Sequence, residues 1–325
     1  MTPTVLVAGE TLVDFLPDSD DPLVAVEGFS RHPGGAPANV AVRLAQLGER
    51  PWFWTRVGDD PFGDFLVETL ADRGVPDRFV ERDPDAKTTL AFVSGDAGDV
   101  SEAGSDGDAD PRFTFYRDGT ADTRLQSGRV PDEVLESVEW VVLGGVLLAS
   151  DPSRSAVFDL AERAREHDCT VVFDPNGRPE LWPDADFETQ VRRFLPLVDV
   201  VKTTPEDLRP AGFASDPEKL VGELHDLGVH TVFRTAGEAG SAAAASTEAP
   251  WGPTTASHRG YAVDAVDTTG AGDAFTAGVV AALAGGERDL DRVLARANAV
   301  AAASTTRPGG MSDLPDPDAV TGRER

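Results

Sequence analysis

The second half of the chain alternates short apolar runs with longer segments whose apolar positions recur at helical spacing. These patterns predict strands at 140–143, 170–173, 199–201 and 231–234, and helices over 153–167, 186–194 and 216–227. Strands separated by helices form a parallel sheet with right-handed crossovers. Ligands bind at the carboxyl ends of such strands, so the loops that follow them are the first candidates for a site.

The first half fits this alternation only in part. Strands are predicted at 4–8 and 51–57, with helices over 37–48 and from about 58 to 73. Two further strands, at 88–94 and 112–117, flank an acidic Gly/Ser/Asp-rich loop over 95–111 that we predict to be mobile. The sequence therefore predicts one α/β domain over 1–325, in which about 15–33 and 86–122 form a small β-sheet lid.

A glycine-rich turn stands out in the C-terminal third. Residues 260–266 are predicted to form a short strand, and an apolar helix is predicted from Ala274 to Leu283, with Gly270, Gly272 and Asp273 between them. Free N–H groups converge at a helix start, and glycines let a bulky anion come close. An acid there repels an anion, so Asp273 is either a helix cap or a base that takes a proton from an attacking hydroxyl.

Polar residues also follow the other predicted strands. Each has a structural explanation as a cap, a turn residue or a surface ion pair, and a functional one as a ligand contact. The candidates are Asp14, the pair Gly34-Gly35 with Asn39, the loop from Asp174 to Arg178, the loop from Lys202 to Asp207, and the loop from Arg234 through Gly237 to Gly240. Asn298 lies inside an Ala-rich helix predicted over 290–305, which indicates a buried polar contact.

Composition narrows the classes of function. The 325 residues carry a formal net charge of −28, and only Lys87, Lys202 and Lys219 are lysines. This charge argues against nucleic acid as a partner and favours a surface suited to high salt. The single Cys169 is expected to be a core thiol, and the absence of a signal peptide or an apolar run of membrane-spanning length leads us to expect a cytoplasmic protein. P-loop and dinucleotide fingerprints are missing.

Two motifs resemble the signatures of the ribokinase-like (PfkB) carbohydrate kinases. The first runs from Gly34 to Ala41, the second from Asp267 to Phe275, and both occur in the family's order. The resemblance implies a three-layer α/β/α fold with a small lid, and ATP-dependent phosphorylation of a sugar hydroxyl. It implies that Asp273 is the catalytic base, that the backbone of Gly270, Ala271 and Gly272 forms an anion hole, and that Asp14, Gly34, Gly35 and Asn39 hold sugar hydroxyls.

The same resemblance implies a nucleotide side and two cations. The nucleotide residues would be Thr204, Asp207, Thr235, Gly237, Gly240 and Asn298. Asp207 would help to organise Mg²⁺ indirectly, although Thr204 stands where the family usually has Asn. The positions that bind K⁺ in many members correspond to Asp267, Thr269, Thr305 and Gly310.

Further segments are similar to fructokinases. These are the run from Asp174 through Arg178 to Trp182 and the run from Phe113 to Arg117, so Arg117 and Arg178 are expected to contact the sugar. Kinases of 2-keto-3-deoxygluconate share both elements, and their substrate carries a carboxylate that an arginine can hold with two prongs. Ribose or a nucleoside as the acceptor stays open too, as does a sugar- or nucleotide-sensing role without turnover. The family also suggests a homodimer formed through the lid, and the composition is similar to that of haloarchaeal proteins.

Overall fold

A computed structural model describes residues 4–19, 21–94, 112–182 and 187–322. The loop predicted over 95–111 lies outside these ranges. Within them the strands are β1 Val5–Ala8, β2 Leu12–Pro17, β3 Phe29–Gly34, β4 Trp52–Gly58, β5 Val80–Asp83, β6 Leu90–Ser94, β7 Arg112–Tyr116, β8 Trp140–Gly144, β9 Thr170–Asp174, β10 Val200–Thr203, β11 Thr231–Thr235, β12 Ser241–Ala245 and β13 Thr254–His258. The α-helices are α1 Ala36–Gln46, α2 Pro61–Asp72, α3 Asp132–Leu135, α4 Ser153–Glu166, α5 Phe187–Phe194, α6 Pro205–Leu208, α7 Pro217–Asp226, α8 Ala271–Ala284 and α9 Leu290–Ser304.

The large sheet is mostly parallel, as predicted. Nine strands of the described ranges follow one another in the order β13-β12-β11-β10-β9-β8-β1-β4-β5, and only the β12 and β13 pairings are antiparallel. The central strands of this sheet are short and apolar, as expected of strands that are covered on both faces. One core lies on the face of α4, α5 and α7. The other lies on the face of α1, α8 and α9, which gives three layers.

A small sheet lies beside the large one. Four more strands of the described ranges pair in the order β3-β2-β6-β7, with β2 parallel to β6 and the outer pairs antiparallel. Its strands fall mostly inside the spans predicted for a lid, although β2 begins earlier, at Leu12. The rings of Phe15 and Phe92 stack with their centroids 4.9 Å apart on one face of this sheet.

Two local predictions were wrong. Residues 260–266 form no strand and only Tyr261 makes an isolated bridge. Asp14 was expected just past a strand, but it lies inside β2, opposite His32 of β3. The expected core position of Cys169 is confirmed, since this thiol is buried. Within the described residues, no helix is long and apolar enough to cross a membrane.

Candidate active site

Helix α8 starts with unpaired backbone donors. Gly270, the residue before the helix, has a φ of 75°, and a Cβ there would lie 3.0 Å from Cα of Gly310. Ala271 donates its N–H to the carbonyl of Thr268 at 3.1 Å, so this donor of the predicted anion hole is already used. Within the described ranges, no acceptor is found for the N–H groups of Gly270, Gly272 and Asp273. Three free donors at the positive end of a helix dipole are the arrangement that suits an anion.

The carboxylate of Asp273 lies at this helix start and is held from helix α1. Nδ2 of Asn39 donates to Oδ2 of Asp273 at 2.8 Å, and the buried Asn39 is fixed because α1 packs against α8. Asp273 is only partly exposed, and the surrounding protein desolvates its carboxyl and raises its pKa to about 6, against the opposing effect of the Asn39 hydrogen bond. A carboxylate with this pKa is ionised at neutral pH and is a stronger base than an exposed one.

Asp14 and the glycine pair lie on the side of the small sheet. A Cβ on Gly34 would stand 2.1 Å from Oδ2 of Asp14, so the carboxylate occupies the space that a side chain would take. Gly35 has a φ of 102° and directly precedes α1. Burial raises the pKa of Asp14 to about 7, and the described residues offer its carboxylate no hydrogen-bond partner. The geometry leaves Asp14 available for a ligand hydroxyl.

The two predicted arginines have different surroundings. Arg117 is buried, and its Nε donates to Oδ2 of Asp122 at 2.6 Å, so its guanidinium belongs to an internal ion pair. Arg178 donates from Nη1 to the carbonyl of Gly177 at 3.2 Å. Its positive charge is close enough to Asp273 to oppose the rise in the pKa of that carboxyl. Of the two, Arg178 is the one that the structure brings near the carboxylate of Asp273.

Two charged residues at the site, Lys202 and Glu10, were given no role of their own from the sequence, although Lys202 opens one of the candidate loops. Lys202, at the end of β10, is buried, and its Nζ donates to Oδ2 of Asp174 at 2.9 Å. Glu10 follows β1 closely; its Oε1 accepts from the N–H of Ala36 at 3.3 Å, and its Oε2 has no partner in the described chain. Burial raises the pKa of Glu10 to about 7. The sequence signal that could have found these two residues is their position, because each stands at the carboxyl end of a strand.

Thr204 and Asp207 form a helix cap. Oδ2 of Asp207 accepts from the N–H and Oγ1 of Thr204 at 2.8 and 2.9 Å, and the N–H of Asp207 donates back to Oγ1. Oδ1 of Asp207 accepts from the N–H of Gly177 at 3.2 Å. The capping interpretation of Asp207 is therefore correct. Oδ2 of Asp207 thus accepts two hydrogen bonds and Oδ1 accepts one, so most of the hydrogen-bonding capacity of this carboxylate is used within the protein.

The other predicted nucleotide residues lie together around the turn between β11 and β12. Thr235 ends β11, and the tight turn that follows has a positive φ at Gly237 and Gly240. A Cβ on Gly240 would lie 2.1 Å from the carbonyl oxygen of His258, so this turn packs closely. Nδ2 of Asn298 donates to Oγ of Ser241 at 2.6 Å, which confirms the predicted buried polar contact of Asn298.

The four residues expected near K⁺ also lie together. Asp267 accepts from the N–H groups of Thr269 at 2.8 Å and Gly309 at 2.7 Å. Burial opposes ionisation of Asp267, but these hydrogen bonds outweigh it and hold its pKa below the ordinary value. The carbonyl of Thr305 accepts from the N–H groups of Val266 and Asp267, so both of its lone pairs are occupied. Gly310 packs against the amide of Asn39.

Comparison with known proteins finds relatives along nearly the whole chain. A model of the pfkB family carbohydrate kinases matches residues 2–317. Fructokinase from Klebsiella pneumoniae is 35% identical over 328 residues, which cover 98% of this chain and 98% of that protein. Probable fructokinase-5 from Arabidopsis thaliana is 32% identical over 326 residues, covering 97% and 95%.

Solved structures with the same fold include two fructokinases with bound ligands. Fructokinase from Xylella fastidiosa with bound ATP has a TM-score of 0.84 and 28% identity, covering 99% of this chain and 98% of that one. Fructokinase from Vibrio cholerae O395 with fructose, ADP and calcium ion has a TM-score of 0.82 and 31% identity, covering 100% and 99%.

Proposed function

Since the chain belongs to the pfkB family of carbohydrate kinases, we propose that it transfers the γ-phosphoryl group of ATP to a primary hydroxyl of fructose. The observation that carries this proposal is the position of Asp273 beside the unpaired N–H groups of Gly270 and Gly272 at the start of α8. A base and an anion site that share one helix terminus can hold an attacking hydroxyl and a phosphoryl group in line. A binding protein without turnover has no use for a base there.

Asp273 is the residue that orients the sugar hydroxyl and takes its proton as the new bond forms. The hydrogen bond from Asn39 occupies Oδ2 of Asp273 and leaves Oδ1 for the hydroxyl. Transfer through a loose transition state needs little covalent help, so alignment and charge stabilisation account for most of the rate. The N–H groups of Gly270, Gly272 and Asp273 supply donors that cost no reorganisation during the reaction.

The sugar would lie between the small sheet and the start of α8. Asp14, whose carboxylate has no partner in the described chain, accepts from ring hydroxyls, and the glycine pair Gly34-Gly35 leaves room for the ring. Fructose is favoured over 2-keto-3-deoxygluconate because the relatives that match nearly the whole chain are fructokinases. Arg117 is paired with Asp122, so Arg178 is the predicted arginine left to contact the sugar near Asp273. The small sheet would close over the sugar and exclude water.

The nucleotide would lie on the other side of the anion site. Its contacts would come from Thr204 and the turn from Thr235 to Gly240, with Asn298 supporting that turn through Ser241. The sugar and the nucleotide would then approach the start of α8 from two sides. The γ-phosphoryl group would meet the hydroxyl at Asp273.

The proposed cations differ in how well the residues suit them. Mg²⁺, when bound, would neutralise phosphate charge. The described residues contain no cluster of three or more His, Cys, Asp or Glu that could hold a metal. The ion would therefore be held by phosphates and water, and Asp207 would contact it through that water. For K⁺, the ionised Asp267 with oxygens of Thr269 and Gly310 is a suitable donor set. The saturated carbonyl of Thr305 is not.

We also propose a homodimer through the small sheet, in a cytoplasm rich in K⁺. Tyr116 at the edge strand β7 is 62% exposed and lies against Phe92, which gives this sheet an aromatic surface. The net charge of −28, with three lysines in 325 residues, fits a protein whose self-repulsion is screened by concentrated salt. Light scattering during gel filtration in KCl tests the dimer.

A coupled assay of ADP release tests the reaction. The purified chain is given ATP and MgCl₂ in concentrated KCl, with fructose, 2-keto-3-deoxygluconate, ribose and adenosine as separate acceptors. We expect the largest kcat/KM with fructose, and Asp273→Asn to lower kcat by about 10³-fold, a typical loss for a general base. A higher kcat/KM with another acceptor would overturn the assignment of the sugar, and near-normal rates in Asp273→Asn would overturn the role of Asp273.

A further inference from the structure

The buried ammonium of Lys202 lies against the first turn of α8. If Gly272 carried a Cβ, that atom would stand 3.1 Å from Nζ of Lys202 and 3.8 Å from its Cε. Strand β10 brings Lys202 to this position from the sheet, and only a residue without a side chain at Gly272 allows so close an approach. The ammonium of Lys202 therefore lies next to the positive end of the α8 helix dipole.

Charge balance explains how a lysine can be buried there. Its Nζ donates to Oδ2 of Asp174 at 2.9 Å. Burial opposes protonation, but the nearby carboxylates of Asp174, Asp207 and Asp273 outweigh it and hold the pKa of Lys202 above its ordinary value. The ammonium thus remains charged throughout the physiological pH range.

The ammonium also has hydrogen-bonding capacity left over. It carries three N–H donors, and Asp174 is its one hydrogen-bond acceptor among the described residues. Its remaining donors are available to an anion seated on the N–H groups of Gly270, Gly272 and Asp273. A charged donor at such a site makes hydrogen bonds about twice as strong as a neutral one.

We propose that Lys202 is a further catalytic residue that binds the transferred phosphoryl group through Nζ, with Asp174 as the residue that positions it. The inference rests on the proposed kinase function. In the transfer, the sugar oxygen forms a bond to the γ-phosphorus and the bond from that phosphorus to the β,γ-bridging oxygen breaks, leaving its electron pair on ADP. The hydroxyl proton goes to Asp273, while Lys202 keeps its protons and offsets charge on the equatorial oxygens.

The first test separates binding from catalysis. Lys202→Met removes the charge at similar length, and Lys219→Met removes an exposed lysine of α7 as the matched control. We expect Lys202→Met to lower kcat by about 10²-fold or more with the KM for sugar changed less than about threefold, and Lys202→Arg to recover part of the rate. Rates of Lys202→Met within about threefold of the unmodified chain would overturn the inference.

The second test does not depend on the sugar. In calorimetric titrations with MgCl₂ and no acceptor, Lys202→Met should bind ATP about tenfold more weakly and ADP unchanged, because the contact is to the γ-phosphoryl group. Equal losses for ATP and ADP, or none, would overturn the inference while leaving the kinase assignment intact. If the unmodified chain binds no ATP, the proposed function itself fails.

A double variant guards against misfolding. Lys202→Met leaves the buried carboxylate of Asp174 without its charged partner, which destabilises the chain. The double variant Lys202→Met with Asp174→Asn removes both charges, so it tests the loss of Lys202 without an unpaired buried charge. If Asp174 acts by positioning Lys202, Asp174→Asn lowers kcat in the unmodified chain and has no further effect on the Lys202→Met background. An equal loss on both backgrounds would show that Asp174 acts independently of Lys202, which would overturn its positioning role.

Discussion

Asn39 and Asp273 stand 234 positions apart in the sequence, and Nδ2 of Asn39 donates to Oδ2 of Asp273 at 2.8 Å. The bond joins the start of α1 to the start of α8, so the two family motifs meet in one contact. It favours the ionised form of Asp273, whereas burial favours the neutral form. These two effects are the largest of those that set the pH at which Asp273 ionises.

The first prediction concerns that pH. Since the pKa of Asp273 is raised to about 6, the logarithm of kcat/KM for the sugar should fall on the acid side with an apparent pKa near 6. Asn39→Ala removes a hydrogen bond that stabilises the carboxylate, so the acid limb should move to higher pH. ADP release measured from about pH 5 to 9 at fixed KCl gives both profiles. The exposed amide Gln126→Ala is the control, and coincident profiles for Asn39→Ala and the unmodified chain would contradict the assignment.

The second prediction concerns the stability effect of Glu10. Its pKa is raised from 4.5 to about 7 in the folded state, mainly by burial, so the folded chain binds the proton more tightly than the unfolded chain. The free energy of unfolding must then decrease as the pH rises from about 4.5 to 7 and remain lowered above it, by on the order of 3 kcal/mol for this one group. Glu10→Gln should remove this decrease.

Urea unfolding of Glu10→Gln at about pH 5, 6 and 8, at one KCl concentration, measures the effect. The variant should gain stability over the unmodified chain at the highest pH and little at the lowest, where Glu10 is protonated in the folded chain. Glu248→Gln changes an exposed carboxylate and should leave the pH dependence as it was. A gain of equal size at all three pH values would show that burial of charge at Glu10 is not the cause.

Much of the fold was predictable because its central strands are apolar and its helices are periodic. The exceptions have physical causes. Strand β12 is a run of Ser and Ala, whose intrinsic preference is not for strands, and it exists because β11 and β13 pair with it on both sides. Strand β5 is rich in charged residues and lies at an edge, where solvent covers one side. Residues 260–266 have strand-like apolar spacing but find no partner strand within the described ranges.

The site was predictable where a motif fixes the backbone, and less so where a side chain reaches across the fold. The glycines and Asp273 lie in one turn, so their relationship is local. Lys202 and Glu10 become site residues only because parallel strands bring their ends to the same edge, and their distance from α8 depends on the packing of the whole core. Arg117 is the opposite case. Its ion-pair partner Asp122 lies only five residues away in the sequence, but both side chains are buried, and the sequence did not reveal that Arg117 is used inside the protein.

The third prediction concerns Gly34. A Cβ at this position would meet Oδ2 of Asp14 at 2.1 Å, so Gly34→Ala must displace that carboxylate. If Asp14 holds a sugar hydroxyl, the KM for the sugar should rise by about tenfold, the loss of one charged hydrogen bond, with a smaller change in kcat. Gly222→Ala in α7, where a Cβ meets nothing within 4 Å, is the matched control and should leave KM unchanged. An unchanged sugar KM in Gly34→Ala would remove Asp14 from the sugar site.

The last prediction concerns salt. The net charge of −28 makes self-repulsion large at low ionic strength, where exposed carboxylates interact over about 10 Å, whereas at about 1 M salt this range shrinks to about 3 Å. The Tm should therefore rise by on the order of 10 °C between about 0.1 and 2 M KCl, and by the same amount in NaCl, because screening does not distinguish the two cations. Thermal unfolding followed by circular dichroism gives both curves, and a Tm that is flat or falls with salt would contradict the screening account.

A specific effect of K⁺ should appear in the activity and not in the Tm. If Asp267 helps to hold K⁺, the rate of ADP release in KCl should exceed the rate in NaCl at concentrations that give the same Tm. Asp267→Asn should abolish that difference.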